Sequence, residues 1–431
     1  MAPIFSDALK PIGAGAMSKL HKHRRIVAVQ GAVQLVSAMA AMRISDRRFR
    51  DSDIENHLIV HDLSAPGDQP ERFATCLHEL AKQAGAWSSM RFLPLPEMLR
   101  FQAALKNGGW DEAIKTFHQT VSFDYCDELM LGQNLLFINN LMNRSYPAAE
   151  TACYGDGIGL NFSADYYRPE PDNRPGFRAI ERWIRKQIRT RRGKDVPEAS
   201  APMKSNKHVV QFNKHYLLLA NHFDQQLKNY EQMNASDFTQ LFGLFADSLP
   251  QFAEQTCRKL NSELEKAEQV IVLLTSNFSE TKRMTLDGEV ACCMELVLRQ
   301  QLTKTALLII KPHPRDSQEK ILAIEGAARK SFRSVVTLAD PWTFFVPFES
   351  IYDRFFASNP RIQRMTSVVC SSSACVSLEM LYGQKCELGF GARNVRRHFA
   401  LKWQELRVRH ELDLNHLLKR IRKAATHRVA V

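Results

Sequence analysis

The segment from Lys311 to Arg315 places His313 between two prolines and two cations. It follows the apolar run Ala306 to Ile310, which is too short for a helix and reads as a buried strand. Because proline restricts its own φ and the residue before it, the backbone direction of His313 is largely preset. A histidine at the carboxyl end of a buried strand, beside basic residues, suits a phosphate group. The alternative is a proline-rich turn with a solvated histidine.

A second candidate lies in the first half of the chain, where Asp156 stands between Gly155 and Gly157. The strand predicted over Glu150 to Tyr154 ends just before it. Glycines on both sides permit a tight turn and a close backbone approach, so the carboxylate of Asp156 could act as a general base. The alternative is an ordinary Asp-Gly turn.

Three consecutive serines, Ser371 to Ser373, follow the strand predicted over Ser367 to Cys370 and precede a helix over Cys375 to Tyr382. Backbone N–H groups, hydroxyls and the helix dipole then all favour one anion, as in a phosphate site. The alternative is helix capping alone, which needs a single serine.

These residues are positioned by two runs of alternating strands and helices, over about residues 24–205 and 265–405. The alternation predicts parallel sheets covered by helices, and hence an α/β fold with two Rossmann-like domains. A helical segment from Asp237 to Lys266 separates the two runs. The predicted division, given by residue numbers, is an N-terminal tail 1–23, a first domain 24–265 with an insert at about 160–205, a second domain 266–400, and a basic C-terminal helix 401–431.

Composition narrows the class of protein and of partner. The chain of 431 residues carries a formal net charge of +12, which predicts an anionic partner such as a nucleic acid, an anionic membrane surface or a nucleotide with an acidic sugar. Its nine cysteines form no Cys-x-x-Cys pair, so reduced, buried thiols are expected rather than disulfides or a zinc site. The best apolar window, Ile26 to Met42, is short for a bilayer and contains Gln30 and Gln34, so no membrane span is expected.

The order of these motifs resembles that of bacterial sialyltransferases, namely capsule polysialyltransferases and lipooligosaccharide sialyltransferases. That family has an [Asp/Glu]-[Asp/Glu]-Gly motif in the first domain, and a His-Pro motif and a Ser-Ser pair in the second. Here the matching residues are Asp156-Gly157, His313-Pro314 and the serines from Ser371 to Ser373, with Gly155 in place of the first acid. The resemblance spans most of residues 24–390. It implies a GT-B-type glycosyltransferase, in which two Rossmann-like domains face each other across a cleft.

The resemblance also implies chemistry and residue roles. Sialic acid would move from CMP-sialic acid to a glycan or glycolipid hydroxyl, with inversion at the anomeric centre. Asp156 would be the base and His313 a hydrogen-bond donor to the CMP phosphate. Further contacts to the phosphate and ribose are expected from a set of polar residues: Lys311, Ser371, Ser372, Ser373, Glu349, Ser276 and Asn277. No cofactor or metal is expected, and the Asp-x-Asp spelling at Asp51 and Asp53 is assigned to a surface loop.

Other functions stay open at this point. Kdo transferases of capsule assembly and CDP-glycerol glycerophosphotransferases also use cytidine nucleotides and carry similar His-Pro and serine turns. From a different class, the net charge fits a non-enzymatic nucleic-acid-binding protein, although no known nucleic-acid-binding motif is present. We expect a cytoplasmic protein, associated with the inner face of the plasma membrane if its acceptor is lipid-linked. The acceptor, the linkage and the number of sugars added are not determined by the sequence.

Overall fold

Two parallel β-sheets organise the chain, as seen in a computed structural model. The structure describes residues 22–49, 53–61, 69–134, 136–155, 157, 210–219, 229–303 and 305–429. The predicted base Asp156, the insert at about 160–205 and most of the N-terminal tail lie outside these residues.

The first sheet has seven parallel strands in the order β3-β2-β1-β4-β5-β6-β7. Its strands are β1 (His23–Val29), β2 (Ile54–His61), β3 (Ser89–Leu93), β4 (Glu128–Leu131), β5 (Glu150–Cys153), β6 (Lys214–Leu217) and β7 (Tyr230–Gln232). Helices α1 (Ala32–Ser45), α2 (Pro70–Ala84), α3 (Leu95–Val121) and α4 (Phe137–Ser145) connect the first five strands. The central strands β1 and β4 are runs of largely apolar residues because helices cover both faces of the sheet.

The second sheet has five parallel strands in the order β10-β9-β8-β11-β12. They are β8 (Gln269–Leu274), β9 (Ala306–Lys311), β10 (Ser334–Thr337), β11 (Thr366–Cys370) and β12 (Cys386–Leu388). The associated helices are α5 (Ala235–Phe252), α6 (Glu254–Lys266), α7 (Leu286–Leu298), α8 (Gln318–Ala328), α9 (Pro341–Phe345), α10 (Phe348–Tyr352), α11 (Pro360–Met365), α12 (Ala374–Tyr382), α13 (Ala392–His398) and α14 (Leu401–Val429).

Both sheets reverse their strand order at one point, and these points determine where ligands can bind. In the first sheet the reversal lies between β1 and β4, and in the second between β8 and β11. The chains that leave two such strands run in opposite directions along the sheet, which opens a crevice at the carboxyl edge. Each sheet therefore offers one crevice, formed by the loops that follow the two strands at its point of reversal.

Helix α5 joins the two units. It packs against α1 and α2 of the first unit and against α10 and α12 of the second. Its Phe238, Phe242 and Phe245 are fully buried and belong to one apolar cluster that includes residues of both sheets. Their burial is favourable because each phenylalanine removes a large apolar surface from water. The two sheets thus share a core through α5.

The α/β fold with two Rossmann-like domains is confirmed, and the elements differ from expectation in a few places. The predicted helix over Asp237 to Lys266 is two helices, because the backbone of Ala253, after Pro250, leaves the helical conformation with φ −136° and ψ 40°. Sequence reasoning missed five short elements: β7, β12, α9, α11 and α13. Such short segments lack the room for a periodic pattern, so their positions depend on packing.

A buried ion pair joins the two central strands of the first sheet. Arg25 on β1 and Glu128 on β4 are both fully buried, and Arg25 Nε lies 2.5 Å from Glu128 Oε2. Ser45 Oγ donates to Glu128 Oε1 at 2.6 Å. Burial alone would raise the pKa of Glu128, but the interactions with His23, whose Nε2 lies 3.8 Å from Oε2, and with Arg25 outweigh burial and lower it to about 2.

We predict that Glu128→Gln destabilises the fold by about 3 kcal/mol at neutral pH, because it leaves the buried Arg25 without its full counter-charge. Since the folded-state pKa is lower than the ordinary value of 4.5, this stabilisation is present above that value and is lost as the pH falls toward 2. Urea unfolding of both proteins at neutral and acidic pH measures the difference.

The matched control is Glu150→Gln, which breaks a pair with Arg48 whose side chains are about one-third exposed. Solvent screens this pair, so its loss should cost less than about 1 kcal/mol. Equal effects of the two substitutions would contradict the prediction.

Candidate functional site

One cleft lies where the carboxyl edges of the two sheets face each other. It offers about 440 Å³ of space. The first unit contributes the residues that follow β1, β4 and β5, and the second contributes the residues that follow β8, β9 and β11 together with the link between α9 and α10. The cleft thus lies at the two points of strand reversal, where the fold predicts a ligand.

The first wall of the cleft contains the beginning of α1. Gln30 and Gly31 connect β1 to this helix, and the Gln30 N–H donates to Gln34 Oε1 at 2.8 Å. Gln34 is nearly buried and also lines the cleft. The amino end of α1 is therefore directed at the ligand space, where a helix dipole favours negative charge.

The Gly-Asp-Gly motif approaches the same wall. Gly155 and Gly157 both have positive φ, 81° and 59°, which explains the glycine at each position. The buried Ser37 of α1 donates to the carbonyl of Gly157 at 2.6 Å and fastens the loop to the helix. A methyl group added at Gly157 would lie 3.7 Å from Ser373 Oγ, so this loop of the first unit nearly contacts the serine turn of the second. Asp156 itself lies outside the described residues.

His313 lines the opposite wall and is held at three points. Its N–H lies 2.7 Å from Thr275 Oγ1 and 2.9 Å from Asp316 Oδ2. The Arg315 N–H donates to His313 Nδ1 at 3.1 Å, so in the neutral ring the proton is on Nε2. Burial and, to a lesser degree, the nearby charges of Arg315 and Lys320 hold the pKa of His313 well below its usual value. The imidazole is therefore a neutral donor through Nε2.

Lys311, one of the residues expected to contact the phosphate or ribose, lies deep in the cleft wall. It is buried, and its ammonium donates to the carbonyls of Pro312 at 3.0 Å and Phe344 at 2.7 Å. Burial lowers its pKa to about 8, partly offset by Asp316 and Glu349. Lys311 lines the cleft, but two of its three N–H donors are engaged, one with the adjacent Pro312 and one with Phe344 of α9.

The three serines have separate positions. Ser372 and Ser373 line the cleft at the amino end of α12, and Ser373 makes no capping hydrogen bond with its side chain. Ser371 is buried, and its hydroxyl is 2.8 Å from that of Ser276 on the loop after β8. These two hydroxyls satisfy each other beneath the turn.

Three residues of the predicted contact set lie outside the cleft wall. Ser276 and Ser371 were expected to contact substrate but do not reach the cleft, because they hydrogen-bond to each other. Asn277 is also absent from the cleft wall, and its carbonyl accepts the N–H of Thr281 at 3.1 Å. Thr275 is the residue of that loop that lines the cleft.

Glu349 lies in the first turn of α10 and lines the cleft despite being buried. Its Oε1 accepts a hydrogen bond from Ser377 of α12. Burial raises the pKa of this carboxyl, and the bond from Ser377 offsets the rise only in part.

Sequence reasoning missed the residues that support the turn of His313 and the turn of the three serines. Asp316 and Lys320, both buried, lie beneath the turn of His313. Arg407 of α14 is also buried and donates to the Ser371 carbonyl at 2.7 Å. The spacing of four between Asp316 and Lys320 was a signal of an ion pair, whereas nothing in the sequence connected Arg407 with a turn 36 residues away.

Two features are absent from the described part of the chain. There, no three His, Cys, Asp or Glu side chains converge as a metal site would require. No described helix combines the length and apolar character needed to cross a bilayer. Asp51 of the Asp-x-Asp spelling lies outside the described residues, and Asp53 is exposed.

Comparison with known proteins gives one match to a family model, over about half of the chain. Residues 142–354 match the alpha-2,8-polysialyltransferase (POLYST) family model. The resemblance to bacterial sialyltransferases is confirmed. The matched polysialyltransferase segment contains Asp156, His313 and Glu349 and stops before the three serines. No curated protein matches the chain.

Solved structures similar to this one share little sequence with it. The sialyltransferase from Photobacterium damselae, residues 113–497 corresponding to the GT-B domain, is 13% identical, with 91% of this chain and 97% of that chain covered and a TM-score of 0.40. UDP-GlcNAc 2-epimerase from Neisseria meningitidis, bound to UDP-GlcNAc, is 10% identical, with coverages of 85% and 82% and a TM-score of 0.44.

We predict that His313 stays neutral and protonated on Nε2 between about pH 6 and pH 8, where an ordinary histidine changes charge. The reason is its low pKa and the bond from the Arg315 N–H to Nδ1. Nitrogen NMR of protein labelled in histidine, with the His313→Gln variant to identify the signal, measures both nitrogens. A charge transition near the usual histidine value would contradict the prediction.

Proposed function

We propose that this protein is an inverting sialyltransferase that uses CMP-sialic acid as donor. The observation that carries the proposal is the composition of one cleft: His313, Ser372 and Ser373 of the second unit line it together with Gly157, the neighbour of Asp156, of the first. The family match to polysialyltransferases supports the sugar that is transferred.

The reaction breaks the bond between the anomeric carbon and the phosphate oxygen and forms a bond from that carbon to the acceptor oxygen. The bonding electrons leave with CMP, and the acceptor loses a proton. The transition state thus needs a base for the proton and donors for the growing charge on phosphate. Asp156 is the proposed base. With one base acting on the face opposite the leaving group, the anomeric configuration inverts.

The second unit supplies donors suited to the phosphate. His313 would donate through Nε2, the nitrogen left available once Arg315 N–H bonds to Nδ1. Ser372 and Ser373 would add hydroxyls at the amino end of α12, where the helix dipole also favours an anion. Lys311 would act by its charge from beneath, while Glu349 would accept from a ribose hydroxyl. We assign these groups the charge-stabilising role and propose no metal requirement.

The remaining features concern partners and location. The acceptor is proposed to be a glycan or glycolipid hydroxyl entering beside α1. Helix α14 exposes Lys419, Arg420 and Lys423, which suit an anionic membrane surface as a peripheral contact. All nine cysteines are free and buried, as suits a reducing compartment such as the cytoplasm.

We predict that the purified protein releases CMP from CMP-sialic acid in the presence of a sialylated oligosaccharide, in EDTA as well as in Mg²⁺. Asp156→Asn should retain affinity for CMP but lose most turnover, by about 10²-fold or more, because the acceptor proton has no base. Labelled donor and a panel of oligosaccharide acceptors measure transfer, and calorimetry measures CMP binding.

Parallel incubations with CMP-Kdo and CDP-glycerol separate the cytidine-dependent alternatives. Transfer from either of these, without transfer from CMP-sialic acid, would overturn the proposed donor. Full turnover by Asp156→Asn would remove Asp156 as the base. Thermal stabilisation by RNA and not by CMP would favour a nucleic-acid-binding protein.

We predict that Ser373→Ala weakens CMP binding by about 10-fold, because it removes a hydroxyl that faces the cleft. Ser371→Ala is the matched control. It should lower stability by about 1 kcal/mol through the lost bond to Ser276, with a smaller effect on CMP affinity. Calorimetry and urea unfolding measure the two effects, and a reversed ranking in CMP affinity would contradict the assignment.

A further inference from the structure

A fully buried lysine lies beneath the turn that carries His313. Lys320, in the first turn of α8, has no exposed surface, and its ammonium contacts three carboxylates. The distances from Nζ are 2.7 Å to Asp316 Oδ1, 3.0 Å to Glu280 Oε2 and 3.0 Å to Glu289 Oε1. Nζ also donates to the carbonyl of Ser276. Burial lowers the pKa of Lys320, but the charges of Asp316 and Glu289 outweigh it and raise the pKa overall.

The partners of this ammonium belong to the loops after β8 and β9 and to the first turn of α7. Glu289 accepts the N–H groups of Phe278 at 3.3 Å and Ser279 at 2.7 Å, which fixes the loop after β8. Glu280 accepts from the Ser317 N–H at 3.0 Å, at the start of α8. The loop after β8 carries Thr275, and the loop after β9 carries His313. Lys320 is therefore the charge at which both loops are joined.

Asp316 transmits this constraint to the histidine. One of its oxygens forms the ion pair with Lys320, and the other accepts both the His313 N–H, at 2.9 Å, and the hydroxyl of Thr275. The Asp316 N–H donates back to the His313 carbonyl at 2.9 Å. The peptide groups on both sides of His313 are thus fixed by one carboxylate residue, while the imidazole remains in the cleft.

We propose that Asp316, held by Lys320, is the positioning residue that aligns the His313 Nε2–H with the donor phosphate. The inference rests on the proposed function, since it concerns how the phosphate donor of that site is oriented. Asp316 and Lys320 do not line the cleft, so they act through His313 and the loop of Thr275. A purely structural role would lower stability without any special dependence on His313.

A double-mutant cycle separates these roles, because residues that act through one group are not additive. Asp316→Asn should lower kcat/KM for CMP-sialic acid by about 10- to 100-fold in the otherwise unaltered protein, since small misplacements of a reacting group cost rates of this order. In the His313→Ala background the same substitution should change kcat/KM by less than about 2-fold. Calorimetric affinity for CMP provides a second readout of the same cycle.

Glu280→Gln is the matched control. It removes another carboxylate that lies 3.0 Å from the same ammonium, but Glu280 makes no hydrogen bond to His313 among the described contacts. We expect a loss of thermal stability comparable to that of Asp316→Asn, with kcat/KM within about 3-fold of the unaltered protein. If Asp316→Asn fails to fold, Thr275→Val replaces it in the cycle, since it removes the hydroxyl between the His313 N–H and Asp316 and retains every charge.

The outcomes distinguish this inference from the proposed function. If the unaltered protein transfers sialic acid and the effects of Asp316→Asn and His313→Ala are additive, the positioning role is overturned and the transferase proposal stands. The role is also overturned if Glu280→Gln lowers kcat/KM as much as Asp316→Asn. If the unaltered protein neither turns over CMP-sialic acid nor binds CMP, the proposed function itself fails.

Discussion

The contact of two parallel sheets with one shared helix is the constraint on which the site depends. Parallel strands direct all their carboxyl ends to one edge, so each sheet can offer a ligand only along that edge. Helix α5 buries Phe238, Phe242 and Phe245 in a cluster common to both units. The apolar contact brings the two edges to one cleft, and the loops that carry Gly157 and Ser373 then come within van der Waals reach.

The chemistry of the cleft is built from neutral donors more than from exposed cations. His313 is held neutral, and the ammonium of Lys311 is turned toward two backbone carbonyls. The serine hydroxyls and the amino end of α12 complete the wall. Fixed dipoles of this kind need no reorganisation when charge develops on a leaving group. The strongly basic composition of the chain is therefore not concentrated at the point where the phosphate is proposed to bind.

Other buried charges do not line the cleft as donors but fix the conformation of the backbone turns beneath it. Lys320 with its carboxylates joins the loops after β8 and β9, and Arg407 with Glu411 supports the turn of Ser371 and the backbone of Phe390 and Gly391. Taking a charge out of water is costly, and several paired groups are needed to compensate for it. These networks lie directly beneath the two turns that are proposed to bind the phosphate. The networks cost stability, and they hold each of the two turns in a single conformation.

The sequence by itself determined the α/β alternation, the two Rossmann-like units and the turns that end their strands. These follow from local patterns: buried apolar runs such as Ala306 to Ile310, glycines at positive φ at 155 and 157, and the prolines around His313. The tertiary structure alone decided which side chains of each turn face the ligand. Ser371 and Ser276 pair beneath the cleft, while Ser373 and Thr275 line it. It also selected Lys320 and Arg407 as supports. Such contacts join residues that are distant in the chain, and only the packing of helices on sheets fixes which groups lose water and must find a partner.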